Sequence, residues 1–310
     1  MVVAALVAVV LVAAGGYAYL ASTGHRKTGG AAGTSEPGPS TAPGLVEVPG
    51  GAEPSAPPSG PAPTGSGSPG ASPKPGPAAP PAGWTLVWSP EAARDGLGAF
   101  EGVEDDRAGS EPGVKHIYVQ GDDFRFDMHM VQRDTSPDRQ RNEVKGMRSG
   151  GKVLTMSLGE TWRFAYSMFI PRSLQATTTF THIMQLKMPG SGSAPILVMS
   201  LRRSGGVPTI EVKVFGSNTL VGRAALAPLQ DRWIDTELEV RIGNAPDGYV
   251  RWKLTAGSST VVDAAQSNVD TWLDDRVRPK WGIYRSLGDT SGSLQDCYLL
   301  LTRMRAYRKQ

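Results

Sequence analysis

The chain has one cysteine, Cys297, in 310 residues. A disulfide scaffold is thereby excluded, and so is a zinc centre built on clustered thiolates. Histidine is also scarce, with only His25, His116, His129 and His182. No sign of charge dominates: 32 Lys and Arg stand against 29 Asp and Glu, a formal net +3. Without a dense basic patch, an excess this small does not suit nucleic-acid binding. It does permit a local cluster of cations that gathers an anionic ligand. The 38 glycines lack a strict three-residue period, which excludes collagen.

Proline is plentiful but unevenly placed. Fifteen of the 25 prolines fall between Pro37 and Pro81, in a stretch otherwise made of Gly, Ser, Ala and Thr. Such a segment has too little apolar surface to offset its ordering entropy, so residues 25–82 are expected to be a disordered linker. Before it, Val2–Leu20 is a continuous apolar run followed by Arg26 and Lys27. At ~1.5 Å per residue it is long enough to cross a ~30 Å hydrocarbon core. No basic residue precedes the run and no clean small-x-small site follows it. Residues 1–24 therefore read as a signal-anchor in preference to a cleaved signal peptide. The Pro/Ser/Gly tether places the following domain outside the cytoplasm, membrane-anchored or secreted. Residues 83–310 are a normal length for one β-rich domain with a single core. A monomer is expected.

That domain reads as strands almost throughout. Trp162, Phe164, Tyr166 and Met168 alternate with Arg163, Ala165 and Ser167. Similar runs recur up to Leu294–Tyr307, separated by turn sequences such as Gly121-Asp122, Ser136-Pro137-Asp138 and Pro246-Asp247-Gly248. Only Ser89–Gly96 and Val269–Asp275 look briefly helical. A dozen strands with one wet face each imply an all-β, two-sheet jelly-roll sandwich with a concave cleft.

Period two says which residues share a face. In Lys280-Trp281-Gly282-Ile283-Tyr284-Arg285, Trp281 and Ile283 pack inward, so Lys280, Gly282 and Tyr284 face outward. The glycine leaves room for a ring to lie against the strand. In Thr181–Met188, Met184, Leu186 and Met188 read as core, leaving Gln185 and Lys187 wet. Arg141, Glu143 and Lys145 share a third face. Each pattern alone is what an ordinary solvated strand shows.

Taken in order, Arg141-x-Glu143, Gln185-Leu186-Lys187 and Lys280-Trp281-Gly282-Ile283-Tyr284-Arg285 resemble the jelly-roll polysaccharide lyases. The similarity is to the heparin lyase I-like and glucuronan lyase group, with alginate lyases as more distant relatives. Gly159–Trp162 leading to Ser167–Pro171 looks like a segment of the same group, and the resemblance spans about Phe100 to Arg303. One departure matters: alginate lyases carry Gln-x-His on the second strand, and Lys187 stands where that His would be.

The resemblance implies β-elimination on a uronic-acid polysaccharide. Donors at the uronate carboxylate stabilise the enediolate that forms as the C5 proton leaves. Gln185 and Arg141 suit that task, Arg141 in bidentate fashion. Tyr284 is implied as the acid that protonates the leaving O4 and, for some stereochemistries, also as the base. Lys280 is a cation on the same face for the phenolate, and Glu143 orients Arg141. Lys145, Lys187 and Arg285 complete an expected anionic-substrate surface. No cofactor and no metal are expected, with Asp105-Asp106 and Asp122-Asp123 read as turns.

The histidines separate by face. Strict alternation puts His182 with Met184 as a buried structural residue, and a bulge would reverse this toward substrate. A hairpin across Asp134–Asp138, with residue 133 opposite 139, would set His129 across from Glu143 and make it a catalytic candidate. His116 lies on a polar face without other support. Two alternatives remain open at this level. One is a non-catalytic lectin-like domain using the same cleft. The other is a glycoside hydrolase using Asp235, Glu237 and Glu239, whose order differs from the usual Glu-x-Asp-x-Glu.

Overall fold

The computed structural model of the protein describes residues 81–190 and 194–310. The apolar run Val2–Leu20, and all but the last two residues of the expected linker, lie outside the described residues. Among the described residues no helix is long and apolar enough to cross a membrane.

Among the described residues seventeen strands follow one another. The first seven are β1 (Trp84–Trp88), β2 (Gly102–Glu104), β3 (Ile117–Gln120), β4 (Asp123–Met128), β5 (Arg139–Lys145), β6 (Met147–Ser149) and β7 (Lys152–Leu154). The next five are β8 (Thr161–Phe169), β9 (Thr181–Lys187), β10 (Pro195–Ser204), β11 (Val207–Val214) and β12 (Thr219–Ala225). The last five are β13 (Trp233–Arg241), β14 (Tyr249–Ala256), β15 (Ser259–Ser267), β16 (Arg278–Ser286) and β17 (Cys297–Lys309). An eight-stranded sheet runs β15-β14-β13-β8-β17-β4-β3, with β1 also on β17. A seven-stranded sheet runs β12-β11-β10-β9-β16-β5-β2, and β6 pairs β7. Every one of these strand pairings is antiparallel. The expected two-sheet sandwich is what forms.

The core lies between the sheets, because each supplies one apolar face. Trp162, Phe164, Tyr166 and Met168 of β8 are all buried, as their alternation requires. Trp281 of β16 meets them from the other sheet, edge-on to Phe164 with ring centroids 5.9 Å apart. It also stacks on Trp88 at 5.5 Å. Aromatic pairs of this kind add to plain burial and fix how the sheets seat on each other.

Two expectations fail here. Val269–Asp275 forms no helix. Its backbone instead bonds to the 243–248 turn, Val269 N–H to Gly248 O and Thr271 N–H to Gly243 O. β4 and β5 also form no hairpin. β4 pairs β3 and β17, whereas β5 pairs β2 and β16, so the segment between them crosses from one sheet to the other. Gln140, pointing inward from β5, makes this crossing possible. Its amide donates to the carbonyls of His129, Met130 and Gln132, which have no ladder partner there.

Candidate active site

The outward face of the seven-stranded sheet is built by register. β16 runs unbroken along β5, with Lys280 opposite Lys145, Gly282 opposite Glu143 and Tyr284 opposite Arg141. Trp281 and Ile283 between them are fully buried in the core. All six register partners therefore belong to the outward side. On the other flank Lys280 pairs Gln185, and Tyr284 pairs His182. Against β10, Gln185 pairs Val198 and His182 pairs Ser200. Three steps along β9 thus match two along β10 and four along β16. One extra residue, at Ile183, flips the alternation and brings His182 and Gln185 onto the same face. Strict alternation, which set His182 with Met184, fails for that reason, although the side chain is buried as expected.

Glu143 is the hub of this face, with 1% of its surface exposed. One carboxylate oxygen accepts from Arg141 Nη1 at 2.7 Å and Lys280 Nζ at 2.6 Å. The other accepts from Gln185 Nε2 at 2.5 Å. Each cation also has a second carboxylate. Lys280 Nζ reaches Glu104 at 2.6 Å, and Arg141 Nε donates to Asp134 at 2.9 Å. Burial would raise the Glu104 carboxyl, but the charges of Lys280, Arg141 and Lys145 outweigh it and hold it down to about 2. Lys145 Nζ is 3.2 Å from the same carboxylate. Lys187 shares the face, two residues beyond Gln185. Burial, followed by the charges of Lys280 and Arg141, brings its ammonium down to about 8.

Tyr284 lies among cations, but Lys280 is not the one that holds it. Arg139 Nη1 donates to the phenol oxygen at 2.8 Å, and the Arg141 guanidinium lies 3.7 Å from the ring centroid. Gly282 and Glu143 intervene between Tyr284 and Lys280. The glycine has its own reason, distinct from room for a ring. Its φ is +134°, and a Cβ there would meet the Asn142 carbonyl at 2.2 Å.

His182 lies beside Tyr284 with ring centroids 5.9 Å apart, and its Nδ1 is 2.7 Å from Ser200 Oγ. Burial, then the charges of Arg202 and Arg141, lower its imidazole to about 3, so it is neutral near pH 7. Phe180 stacks on His182 at 4.7 Å and leans on Tyr284 at 5.1 Å. Three rings thus form a continuous apolar step beside the charge cluster.

Two expected site residues lie elsewhere. Arg285 is odd in register to Tyr284 and points into the protein, where it bonds Gln140, the Gln295 carbonyl and Cys297. His129 is not across from Glu143, because β4 belongs to the other sheet. Its Nδ1 is 2.9 Å from Glu111. The carboxylates of the hydrolase alternative are on the outer face of the eight-stranded sheet, paired with arginines. Glu239 bonds Arg163 at 2.9 Å and Asp235 bonds Arg303 at 2.6 Å.

Sequence reasoning missed Arg139, Glu104, Asp134 and Phe180. Arg139 was readable, since Arg139, Arg141 and Glu143 alternate on one strand. Glu104 was not, because β2 has only three residues. Asp134 and Phe180 are in loops, where alternation says nothing.

No protein-family model matches the chain, and no curated protein matches it in sequence. Among solved structures it is similar to an endo-β-1,4-glucuronan lyase from the fungus Trichoderma reesei, at 14% identity and TM-score 0.48. That match covers 72% of this chain and 95% of the other. An alginate lyase from Pseudomonas aeruginosa is 12% identical with TM-score 0.46, over 68% of this chain and 98% of that one. An endo-1,3-β-glucanase from Streptomyces sioyaensis is 11% identical with TM-score 0.47, over 75% and 99%. At such values, what the site does rests on its own atoms.

Proposed function

We propose that this face binds a uronic-acid polysaccharide and cleaves it by β-elimination. The observation that carries the reading is Tyr284, a phenol on an outward strand face with one guanidinium on its oxygen and another over its ring. Arg139 donates to the oxygen, which leaves the phenolic hydrogen free to pass to a departing O4. If the oxygen instead takes the C5 proton, the phenolate that precedes this step already has its counter-charges in place.

The surroundings suit an anionic sugar. Arg139, Arg141, Lys145, Lys187, Arg202 and Lys280 outnumber Glu104, Asp134, Asp138 and Glu143 on this side. Phe180, His182 and Tyr284 give a pyranose ring a surface to lie on. Lys187 and the second N–H of the Gln185 amide are the donors for the uronate carboxylate, where charge develops as the C5–H bond breaks. Arg141 has a different part, because Asp134 and Glu143 already hold two of its nitrogens. It is a fixed cation over Tyr284 that orients the ring. Neutral His182 is a second candidate to receive the C5 proton. The balance is simple: C5 loses a proton to the base, the C4–O4 bond breaks, O4 gains a proton, and C4=C5 forms.

Hydrolysis fits less well. It needs one carboxyl kept protonated, and Glu104 is held in the opposite direction.

The test is incubation with glucuronan, alginate, heparin and hyaluronan, reading the ultraviolet absorbance of the unsaturated uronate. We expect a rise on at least one polymer. Tyr284→Phe should cut kcat by ~10²–10⁴-fold with KM little changed. Binding of one of these polymers without any rise on any of them would leave a lectin-like domain. New reducing ends without unsaturated product would mean a hydrolase.

A further inference from the structure

His116, His129 and Glu111 converge away from the Tyr284 face, and nothing in the proposed chemistry uses them. Among the described residues they are the set whose ligand atoms all lie within 4.8 Å of one another. His116 Nε2 is 3.1 Å from Glu111 Oε2, and His129 Nδ1 is 2.9 Å from the same oxygen. The two imidazoles meet edge to face, with centroids 5.2 Å apart.

The setting of His116 makes this more than a surface ion pair. Its other nitrogen, Nδ1, is 2.8 Å from Asp105 Oδ1. Asp105 Oδ2 meanwhile accepts the backbone N–H of His116 and of Ile117, at 3.0 and 3.2 Å. Asp105 thus fixes His116 through both its ring nitrogen and its backbone. Its Nε2 is left facing Glu111, and the side chain has no exposed surface. Glu111 Oε2 therefore has an imidazole nitrogen on either side, and one metal ion would meet all three ligand atoms.

The spacing fits the metal. Nitrogen and oxygen ligands at ~2.0–2.1 Å in a tetrahedron lie about 3.3 Å from each other. Two of the three separations, 3.1 and 2.9 Å, are slightly shorter than that edge, and all three ligand atoms lie within 4.8 Å. A carboxylate holding the far nitrogen of a ligating imidazole is the usual supporting partner of such sites. Two imidazoles with one carboxylate suit zinc or a similar transition ion and do not suit calcium or magnesium.

We propose that His116, His129 and Glu111, with Asp105 orienting His116, form a binding site for a zinc-class divalent cation. The site would clasp the 105–116 segment to the end of β4. That segment is stitched to the neighbourhood of Arg141: Ser110 Oγ accepts from Arg133 N at 2.9 Å, and Arg107 Nε is 3.5 Å from Asp134. Asp134 is the carboxylate that holds Arg141. The role is therefore to brace the loop behind the Tyr284 face, independently of what that face cleaves.

The test uses the full chain, stripped with a chelator and titrated with zinc chloride by calorimetry, with metal content read after dialysis. One zinc per chain is expected. His129→Ala and Glu111→Ala, chosen because both side chains are partly exposed, should each weaken binding at least ~100-fold with an unchanged circular-dichroism spectrum. Asp105→Asn should weaken it by ~10–100-fold. Zinc should raise the melting temperature of the wild type but not of His129→Ala. Cobalt should give a four-coordinate visible spectrum that His129→Ala lacks. Absence of zinc binding at micromolar concentration would overturn the proposal. Zinc binding equally tight in both alanine variants would overturn it as well, as would calcium binding without zinc.

Discussion

Glu143→Gln tests whether the buried charge cluster holds the face together. The substitution keeps the shape of the side chain and removes its charge. Three donors converge on Glu143, from Arg141, Lys280 and Gln185. The new amide can turn its nitrogen toward Gln185, whose own amide can flip to meet it. Hydrogen bonding there is largely preserved, so the main loss is charge. Removing one partner of a buried ion pair typically costs ~3–5 kcal/mol. Lys280 keeps Glu104 and Arg141 keeps Asp134, which puts the loss at the lower end, about 3 kcal/mol. For a domain of this length each kcal/mol moves the midpoint by ~2–4 °C, so a fall of roughly 6–12 °C is expected. Calorimetry at pH 7 measures it. Pairing the change with Lys280→Met should give a combined loss smaller than the sum of the two by about 1 kcal/mol or more, because the residues touch. A midpoint within 2 °C of wild type, roughly 0.5–1 kcal/mol, would refute the cluster as an organising element.

Three further outcomes follow from the geometry. Lys187, brought down to about 8 by burial and then by Lys280 and Arg141, should lose its charge as pH rises through that value. KM for an anionic polymer should climb above pH 8, and Lys187→Arg should abolish the climb; a parallel rise in the variant contradicts the assignment. His182 is neutral in the fold but protonates when unfolded, so its contribution is present above pH 6.5 and is lost as pH falls from 6.5 toward 3. Urea unfolding at pH 7 and pH 5 should show a larger loss for the wild type than for His182→Gln, and equal losses would sink the claim. Gly282→Ala should destabilise by about 2–4 kcal/mol, since its Cβ would strike backbone atoms of β5 at a φ that L residues avoid; a change under about 0.5 kcal/mol means the strands part more easily than their contact suggests.

Alternation made most of the sandwich legible. Trp162–Met168 and Trp281/Ile283 fell on the buried side because a strand exposed to water on one face must segregate its residues. The same rule put Arg141, Glu143, Lys280 and Tyr284 on one side, where their register now joins them. It failed where the chain leaves the period. His129 was placed by a hairpin that does not exist, since Gln140 satisfies the carbonyls of a crossing segment no pattern reveals. Arg285 was named beside Tyr284 against its own parity, and it points inward. The Glu111, His116 and His129 set was invisible for another reason. Its members are 5 and 13 residues apart, all in loops that flank β3 and β4, with no fixed spacing to recognise.

The extra residue in β9 bears on how such a face can arise. A strand has only two phases, and inserting one residue exchanges them for everything on one side of the insertion while leaving the other side untouched. Gln185 and Lys187 keep the phase of the sheet; His182 acquires it. A histidine can thus be brought to an outward face by one inserted residue, at the cost of a register shift against both neighbouring strands. It then stands three residues before the glutamine, where a pattern of fixed Gln-x-His spacing would never look. Groups that act together on a sheet are joined across the ladder, and their order along the chain is free to differ.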